Sequence, residues 1–265
     1  MKDILSTIAA RSLERVEEGK KKISIKDISR KAESLCGTFD PEFPFEKAMQ
    51  GKEIAFICEV KKASPSKGIL DKNFPYVKIA GEYEEAGASA ISVLTEPYWF
   101  LGSDEYLKEI RRTVNLPILR KDFTVDAYQI YEAKLLGADA VLLICALLGE
   151  LRLKEYINIA HELGLSALVE THTEDEVRNA LNAGARIIGV NNRNLKTFEV
   201  DITTSMRLRN LVPDHILFIS ESGIKTPEDV ARLRESKVNG VLIGETLIKC
   251  NDKKRRLTEL RGEAI

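Results

Sequence analysis

Short runs of apolar, largely β-branched residues recur along the chain at 54–60, 90–94, 117–119, 140–144, 167–169, 187–190, 216–219 and 241–243. Each is short enough for a strand. Most are continuously apolar rather than alternating, as expected of strands covered on both faces. Segments with helical spacing lie between them, among them 74–85 and 126–136. Residues 150–163 carry Leu151, Leu153, Tyr156, Ile157, Ile159 and Ala160, which the spacing places on one apolar face. Residues 173–183 open with Thr173-Glu174-Asp175-Glu176, a capping-box pattern. Thr226-Pro227-Glu228-Asp229 offers a further helix its cap, a proline at the first helical position and early acids.

Eight strands alternating with helices predict a parallel sheet. A self-similarity sharpens the prediction. Ala86-Gly87-Ala88-Ser89-Ala90, Leu136-Gly137-Ala138-Asp139-Ala140 and Ala183-Gly184-Ala185-Arg186-Ile187 each join a helix end to the next strand, at a spacing of two βα units. Glycine suits the left-handed residue that ends a helix. Lys237-Val238-Asn239-Gly240 occupies the corresponding place before the eighth strand. An open doubly wound sheet would carry a glycine-rich dinucleotide fingerprint after its first strand, and none is present. The class is therefore α/β, closed into a (β/α)8 TIM barrel. Before the barrel, Ile4, Leu5, Ile8, Leu13 and Val16 predict an amphipathic helix, and Lys20-Lys21-Lys22 a solvated basic face. Residues 1–265 are read as a single barrel domain, with 1–50 an N-terminal helical extension packed on it.

Composition narrows the function. With 265 residues, 44% of them hydrophobic, the chain can build a core of barrel size. The 40 basic and 41 acidic residues leave a net charge of −1, without the basic excess of a nucleic-acid binder. Cys36, Cys58, Cys145 and Cys250 form no CxxC and no ligand spacing, which suits a reducing compartment. Cys58 and Cys145 lie in apolar runs and read as buried small hydrophobes. His161, His172 and His215 are isolated, so no metal is expected. The N-terminus soon runs into charges, and no stretch reaches about 18 apolar residues. The reading is a cytoplasmic protein with no membrane or nucleic-acid partner, a monomer or weak homodimer.

In such a barrel the active site lies at the C-terminal ends of the strands. Here those ends carry Glu59-Val60-Lys61, Arg120-Lys121-Asp122-Phe123, Glu170-Thr171-His172, Asn191-Asn192-Arg193-Asn194, Glu221-Ser222-Gly223 and Gly244-Glu245. One charge at a strand end is commonly a solvated loop residue. Glu59, Lys61, Lys121, Glu170 and Glu221, delivered to one rim by strands 1, 3, 5 and 7, make a mixed cluster suited to proton transfer on an anionic substrate. The turns after strands 7 and 8, Ser222-Gly223-Ile224 and Gly244-Glu245-Thr246-Leu247-Ile248, occupy the phosphate-binding position of many barrels, the second as the start of a short helix. Pro65, Phe123 and Leu195 are candidates for an apolar wall. Trp99-Phe100 either covers the site or packs in the core. Arg120 and His172 lie near the rim without an assigned role.

Glu59-Val-Lys-Lys-Ala-Ser-Pro-Ser-Lys-Gly68 resembles the first-strand signature of the indole-3-glycerol-phosphate synthase family. So do Ser92-Val-Leu-Thr-Glu96, Leu116-Pro-Ile-Leu-Arg-Lys-Asp-Phe123, Leu168-Val-Glu170, Ile188-Gly-Val-Asn-Asn-Arg-Asn-Leu195, Ile219-Ser-Glu-Ser-Gly-Ile224 and Val241-Leu-Ile-Gly-Glu-Thr246. The resemblance covers essentially the whole chain. It implies a cofactor-free lyase of tryptophan biosynthesis. The substrate would be 1-(2-carboxyphenylamino)-1-deoxyribulose 5-phosphate, converted by ring closure, decarboxylation and dehydration. It implies Lys121 as general acid to the carbonyl oxygen and Glu170 as acid/base partner for the later steps. Lys61 and Glu59 would be a charged pair by the reacting centre. Asn191, Arg193 and Glu221 would position the substrate, with Ser64 nearby. Backbone at Ser222-Gly223 and Gly244-Glu245 would hold the phosphate. Other enzymes of the tryptophan pathway are possible partners. Residues 145–149 and 247–251 depart from the family pattern.

Three alternatives stay open. A phosphoribosylanthranilate isomerase-like barrel would need a cysteine base after strand 1, and Cys58 should point away from Glu59 by alternation. A Schiff-base aldolase would use Lys121 as nucleophile. A non-catalytic metabolite-binding partner would have no use for Glu59, Lys61, Lys121 and Glu170 together.

Overall fold

The protein, as a computed structural model, is described for residues 4–37, 42–194 and 197–263. Eight parallel strands close into a barrel: β1 (Ala55–Val60), β2 (Ala90–Leu94), β3 (Ile118–Lys121), β4 (Ala140–Ile144), β5 (Ser166–Thr171), β6 (Ile187–Asn191), β7 (Leu217–Glu221) and β8 (Gly240–Ile243). Each pairs with its sequence neighbours, and β1 with β8 closes the ring. The helices outside are α4 (Tyr76–Glu85), α5 (Asp104–Thr113), α6 (Tyr128–Leu136), α7 (Cys145–Glu162), α8 (Glu174–Asn182), α9 (Thr203–Arg209), α10 (Pro227–Glu235) and α12 (Lys253–Arg261). The four-residue α11 (Glu245–Ile248) follows β8. A small antiparallel turn pairs 63–64 with 68–69. No helix among the described residues is long and apolar enough to cross a membrane.

The strands are buried on both faces, which is why their runs are continuously apolar. Alternation still sorts the faces. Ala55 and Ile57 of β1, Leu119, Leu142, Leu168, Ile187, Ile219 and Leu242 fill the interior. Phe56, Cys58, Ile91, Val141, Val169, Phe218 and Val241 pack against the helices. The same alternation sends Glu59, Lys121, Glu170, Asn191 and Glu221 inward at the upper rim and Arg120 outward. Arg120 there meets Asp104 (2.8 Å) and Glu132 (2.6 Å) between barrel and helices.

Gly87, Gly137 and Gly184 take left-handed φ values of 79°, 86° and 85°, and Lys237 does the same at 58° in the fourth equivalent turn. In each, the next amide donates back to the last helical turn, as Ala138 N does to Ala133 O at 3.1 Å. Helix α7 contains a break at Gly149 (φ 65°), so its main body begins at residue 150 as expected. Leu151 does not join its apolar face and is 87% exposed. The buried stripe is Leu153, Tyr156, Ile157 and Ala160, and residue 151 sits about 200° from residue 153 on the wheel.

Residues before the barrel cover its lower end and reach the rim of its upper end. Helix α3 (Pro44–Met49) plugs the lower end with Phe45 and Met49. Helices α1 (Ile4–Lys22) and α2 (Ile25–Glu33) pack against α6, and α1 also reaches the upper rim. The buried stripe of α1 is Leu5, Ile8, Ser12 and Val16. Leu13, expected on that stripe, lies one position off it and is 47% exposed. Lys20 is not merely solvated: it pairs with Asp126 at 2.8 Å. Arg15 grips buried Asp122 with two hydrogen bonds of 2.7 and 3.2 Å, one residue beyond Lys121. Asp122 also accepts from Thr95 Oγ1 and Phe123 N, so removal of Arg15 leaves it partly satisfied. Arg15→Ala is expected to lower the unfolding free energy by about 1–3 kcal/mol, read from urea melts; an unchanged midpoint would show α1 to be held without this pair.

Candidate active site

A cavity of about 520 Å³ opens at the C-terminal ends of the strands. Of the residues the sequence singles out, Glu59, Lys61, Ser64, Pro65, Lys121, Phe123, Glu170, Asn191, Arg193, Glu221, Ser222, Gly223, Gly244 and Glu245 all line it. Leu195 lies outside the described residues.

The floor is a chain of alternating charges. Lys121 Nζ lies 3.1 Å from Glu170 Oε2 and 3.2 Å from Glu221 Oε2. Lys61 is hydrogen-bonded to Glu59 beside them. Burial pulls Lys121 toward the neutral amine, but the carboxylates of Glu221, Glu170 and Glu59 outweigh it. Its pKa stands above the usual lysine value. Glu170 is buried too, yet Lys121, His172 and a hydrogen bond from Asn191 hold it below the usual carboxylate range. Glu221 goes the other way. Burial and the neighbouring charge of Glu170 push it up to about 7, since Lys121 is shared between the two. Glu221 Oε1 makes no hydrogen bond, which suits a carboxyl that keeps its proton. Gly189 leaves it room: a Cβ there would collide with that oxygen.

The mouth carries cations. Lys67, Arg193, Lys225 and Lys249 line it near the turns after β7 and β8. Lys249 Nζ donates to Glu245 Oε1 at 2.7 Å. The β7 turn is held in an unusual backbone, with Ser222 at φ 66° and Gly223 at φ 86°. Buried Asn192 fixes it by donating to Ser222 O (3.0 Å) and Ser220 Oγ (3.0 Å), while accepting from Ser205 N and Oγ. A Cβ at Gly223 would sit 2.6 Å from Val200 Cγ1.

One wall is apolar. Phe100 and Phe123 lie with centroids 6.0 Å apart, joined by Pro65, Leu70, Leu142 and Ile144. Of the Trp99-Phe100 pair, Phe100 lines the cavity and Trp99 does not. Its loop is shaped by buried Glu96, whose carboxylate accepts from the amides of Tyr98, Trp99 and Phe100 at 2.8–2.9 Å. Residues Ile4, Leu5 and Ile8 of α1 also reach the cavity, as do Phe198 and Val200. Sequence reasoning did not place these, nor Lys67, Lys225 and Lys249. The amphipathic face of α1 points to the first three, and Lys67 lies within the Glu59–Gly68 stretch of the family resemblance. Cys58 is buried between barrel and helices, and burial pushes its thiol well above the usual range. It cannot serve as a base in the cavity.

A family profile described as Indole-3-glycerol phosphate synthase matches residues 5–260. The chain is 59% identical to the indole-3-glycerol phosphate synthase of Ruminiclostridium cellulolyticum over 261 residues, covering 98% of this chain and 100% of that protein. It is 51% identical to that of Lachnoclostridium phytofermentans, covering 98% and 99%. Among solved structures it is similar to N-acetylmannosamine-6-phosphate 2-epimerase from Clostridium perfringens (TM-score 0.60, 18% identity, 78% and 93% coverage). It is also similar to thiamine phosphate pyrophosphorylase from Pyrococcus furiosus (TM-score 0.58, 17% identity, 80% and 95% coverage). At such identities the likeness shows the barrel fold alone.

Proposed function

The chain belongs to the indole-3-glycerol phosphate synthase family, and from that premise we propose how its cavity divides the work of the reaction. The enzyme is a lyase of tryptophan biosynthesis. It converts 1-(2-carboxyphenylamino)-1-deoxyribulose 5-phosphate to indole-3-glycerol phosphate, with loss of carbon dioxide and water. The observation that carries the division of roles is the Lys121 ammonium held between Glu170 and Glu221 at the cavity floor.

The aryl ring lies against Phe100, Phe123 and Pro65. The phosphate sits at the turns 222–223 and 244–245, where Lys67, Arg193 and Lys249 supply positive charge. As the ring carbon attacks the ketone, Lys121 gives its proton to the carbonyl oxygen. A high lysine pKa keeps the ammonium fully formed, and Glu221, 3.2 Å away and raised to about 7, replaces from its protonated form the proton that Lys121 gives up. Carbon dioxide then leaves the attacking ring carbon, restoring the aromatic ring. In the last step Lys121, its proton restored, gives a second proton to the hydroxyl, which departs as water, while ionised Glu170 takes the proton from the adjacent methylene. Lys61 faces the substrate carboxylate, with Glu59 setting its position. Balanced overall charge and a cavity that sets charged groups beside an apolar wall support a small anionic, partly apolar substrate rather than nucleic acid. Four free cysteines support a cytoplasmic setting.

The aldolase alternative loses ground on the same geometry. An imine-forming lysine needs a lowered pKa, and Lys121 is raised by its carboxylates.

The direct test is to mix the purified protein with the ribulose phosphate substrate, without nucleotide and with EDTA, and follow indole fluorescence. A rise supports the reading. No rise from a folded protein that binds inorganic phosphate would sink it, and a ketose phosphate trapped by borohydride would replace it. Lys61→Ala is expected to raise KM and lower kcat together, each by about 10-fold or more. A lower kcat at unaltered KM would move Lys61 away from the substrate anions.

A further inference from the structure

His172 stands one step behind the catalytic floor. Its Nε2 lies 3.8 Å from Glu170 Oε1, the oxygen that Lys121 does not hold, and its Nδ1 lies 3.4 Å from Glu176 Oε2. Nε2 is buried and makes no hydrogen bond. Four groups thus follow one another by contact, Lys121, Glu170, His172 and Glu176, from the barrel rim to the first turn of α8. The charged groups facing the imidazole are Glu170 on its own strand, Glu176 of α8 and Glu221 of β7, with Lys121 of β3 behind Glu170. The strands on either side end in Ile144 of β4 and the amide Asn191 of β6.

We propose that His172 is a positioning residue for the ring-forming reaction: its imidazolium, gripped by Glu176, keeps Glu170 ionised and turned so that Oε2 faces Lys121. The proposal rests on the roles given above to Lys121 and Glu170. A purely structural part is already filled without the ring. The His172 backbone N–H donates to Glu176 Oε2 at 2.8 Å, and Thr173 caps α8 with its own hydroxyl. Any residue but proline at 172 supplies that amide, so the imidazole is free for another task. Burial alone would lower its pKa, but Glu176 and Glu170 together raise it, so the ring is charged where an ordinary histidine has begun to lose its proton.

The chain has three histidines, which makes ring-labelled NMR titration direct. His172→Asn identifies the resonance by its disappearance. In the wild type that resonance is expected to titrate above the ordinary value of about 6.5, and Glu170→Gln and Glu176→Gln should each lower its midpoint by about one unit. In turnover, His172→Asn is expected to lose about 10-fold in kcat with KM within about twofold. Loss of the positive charge raises the pKa of Glu170, so the acidic limb of the kcat profile should move to higher pH by about half a unit or more. Midpoints unmoved by either carboxylate variant would overturn the proposal. So would a His172→Asn enzyme with the wild-type pH profile, whatever its stability. The NMR arm needs no turnover, so an inactive wild type would refute the proposed reaction while still deciding the ion chain.

Discussion

Lys121→Ala is expected to lower turnover by about 10²-fold or more, with the KM for the ribulose phosphate changed only a few-fold. Among the described residues the lysine is the one cation that touches both Glu170 and Glu221, at 3.1 and 3.2 Å. Without it the carbonyl oxygen loses its proton donor, while the cations near the phosphate turns and the aryl wall remain to bind substrate. Two buried carboxyls then lose their shared cation, but His172 and Asn191 still hold Glu170 and Glu221 already tends to keep its proton, so the fold is spared a second buried negative charge. Thermal melting should therefore shift by only a few degrees, which separates chemistry from unfolding. Lys121→Arg is the companion. It keeps the positive charge between the carboxylates but holds its proton too tightly to give it up, and should be nearly as slow. Near-normal turnover in Lys121→Ala would remove it as the general acid. Recovery in Lys121→Arg would reassign it to electrostatic support.

The sign of the Glu221 shift has a consequence for stability. Its folded pKa is raised above the unfolded value, so the folded state binds the proton more tightly. That contribution is present at low pH and is lost as pH rises from the ordinary carboxylate range through about 7. Glu170 runs in the opposite sense, since its folded pKa is depressed. What it contributes is present above the ordinary carboxylate pKa and disappears on acidification. The two carboxyls on one lysine thus trade their effects across the acid range, and catalysis needs the window in which one is neutral and the other charged.

The barrel was legible because its strands are covered on both faces, so apolar runs announce them, and because left-handed helix ends demand glycine at Gly87, Gly137 and Gly184. Strand ends were harder. The apolar run of β3 stops at residue 119, but the strand continues through Lys121, since the inward residues at the rim are charged for function. That same break in pattern revealed Glu59, Lys121, Glu170 and Glu221. The cations at the mouth left no such trace: Lys67, Lys225 and Lys249 sit in loops and look like any others of 40 basic residues. Leu13 and Leu151 misled because hydrophobicity was counted without phase. Each is apolar, but lies off the stripe that its own helix buries. His172 had no partner in sequence because Glu176 is a capping residue and Glu170 was read only for its catalytic part.

Gly244→Ala is expected to lower kcat/KM by about 10²-fold while leaving the melting temperature within a few degrees. Its φ of −118° is not the left-handed value that calls for glycine, so the cost lies in what the new Cβ meets. The new Cβ would collide with Glu59 Oε1 and stand 3.0 Å from Lys61 Nζ. Both atoms end flexible side chains, so the core need not move, but the Glu59–Lys61 pair must. Cys58 pairs in register with Ile243, which brings the next residues, Glu59 and Gly244, side by side. The turn that receives the phosphate is therefore built against the pair that faces the reacting carboxylate, and one methyl group disturbs both. The expected signature is a loss in kcat together with weaker competition by inorganic phosphate. Weaker phosphate binding at an unaltered kcat would mean that the Glu59–Lys61 pair can shift without consequence, and the role given to Lys61 would fall with it.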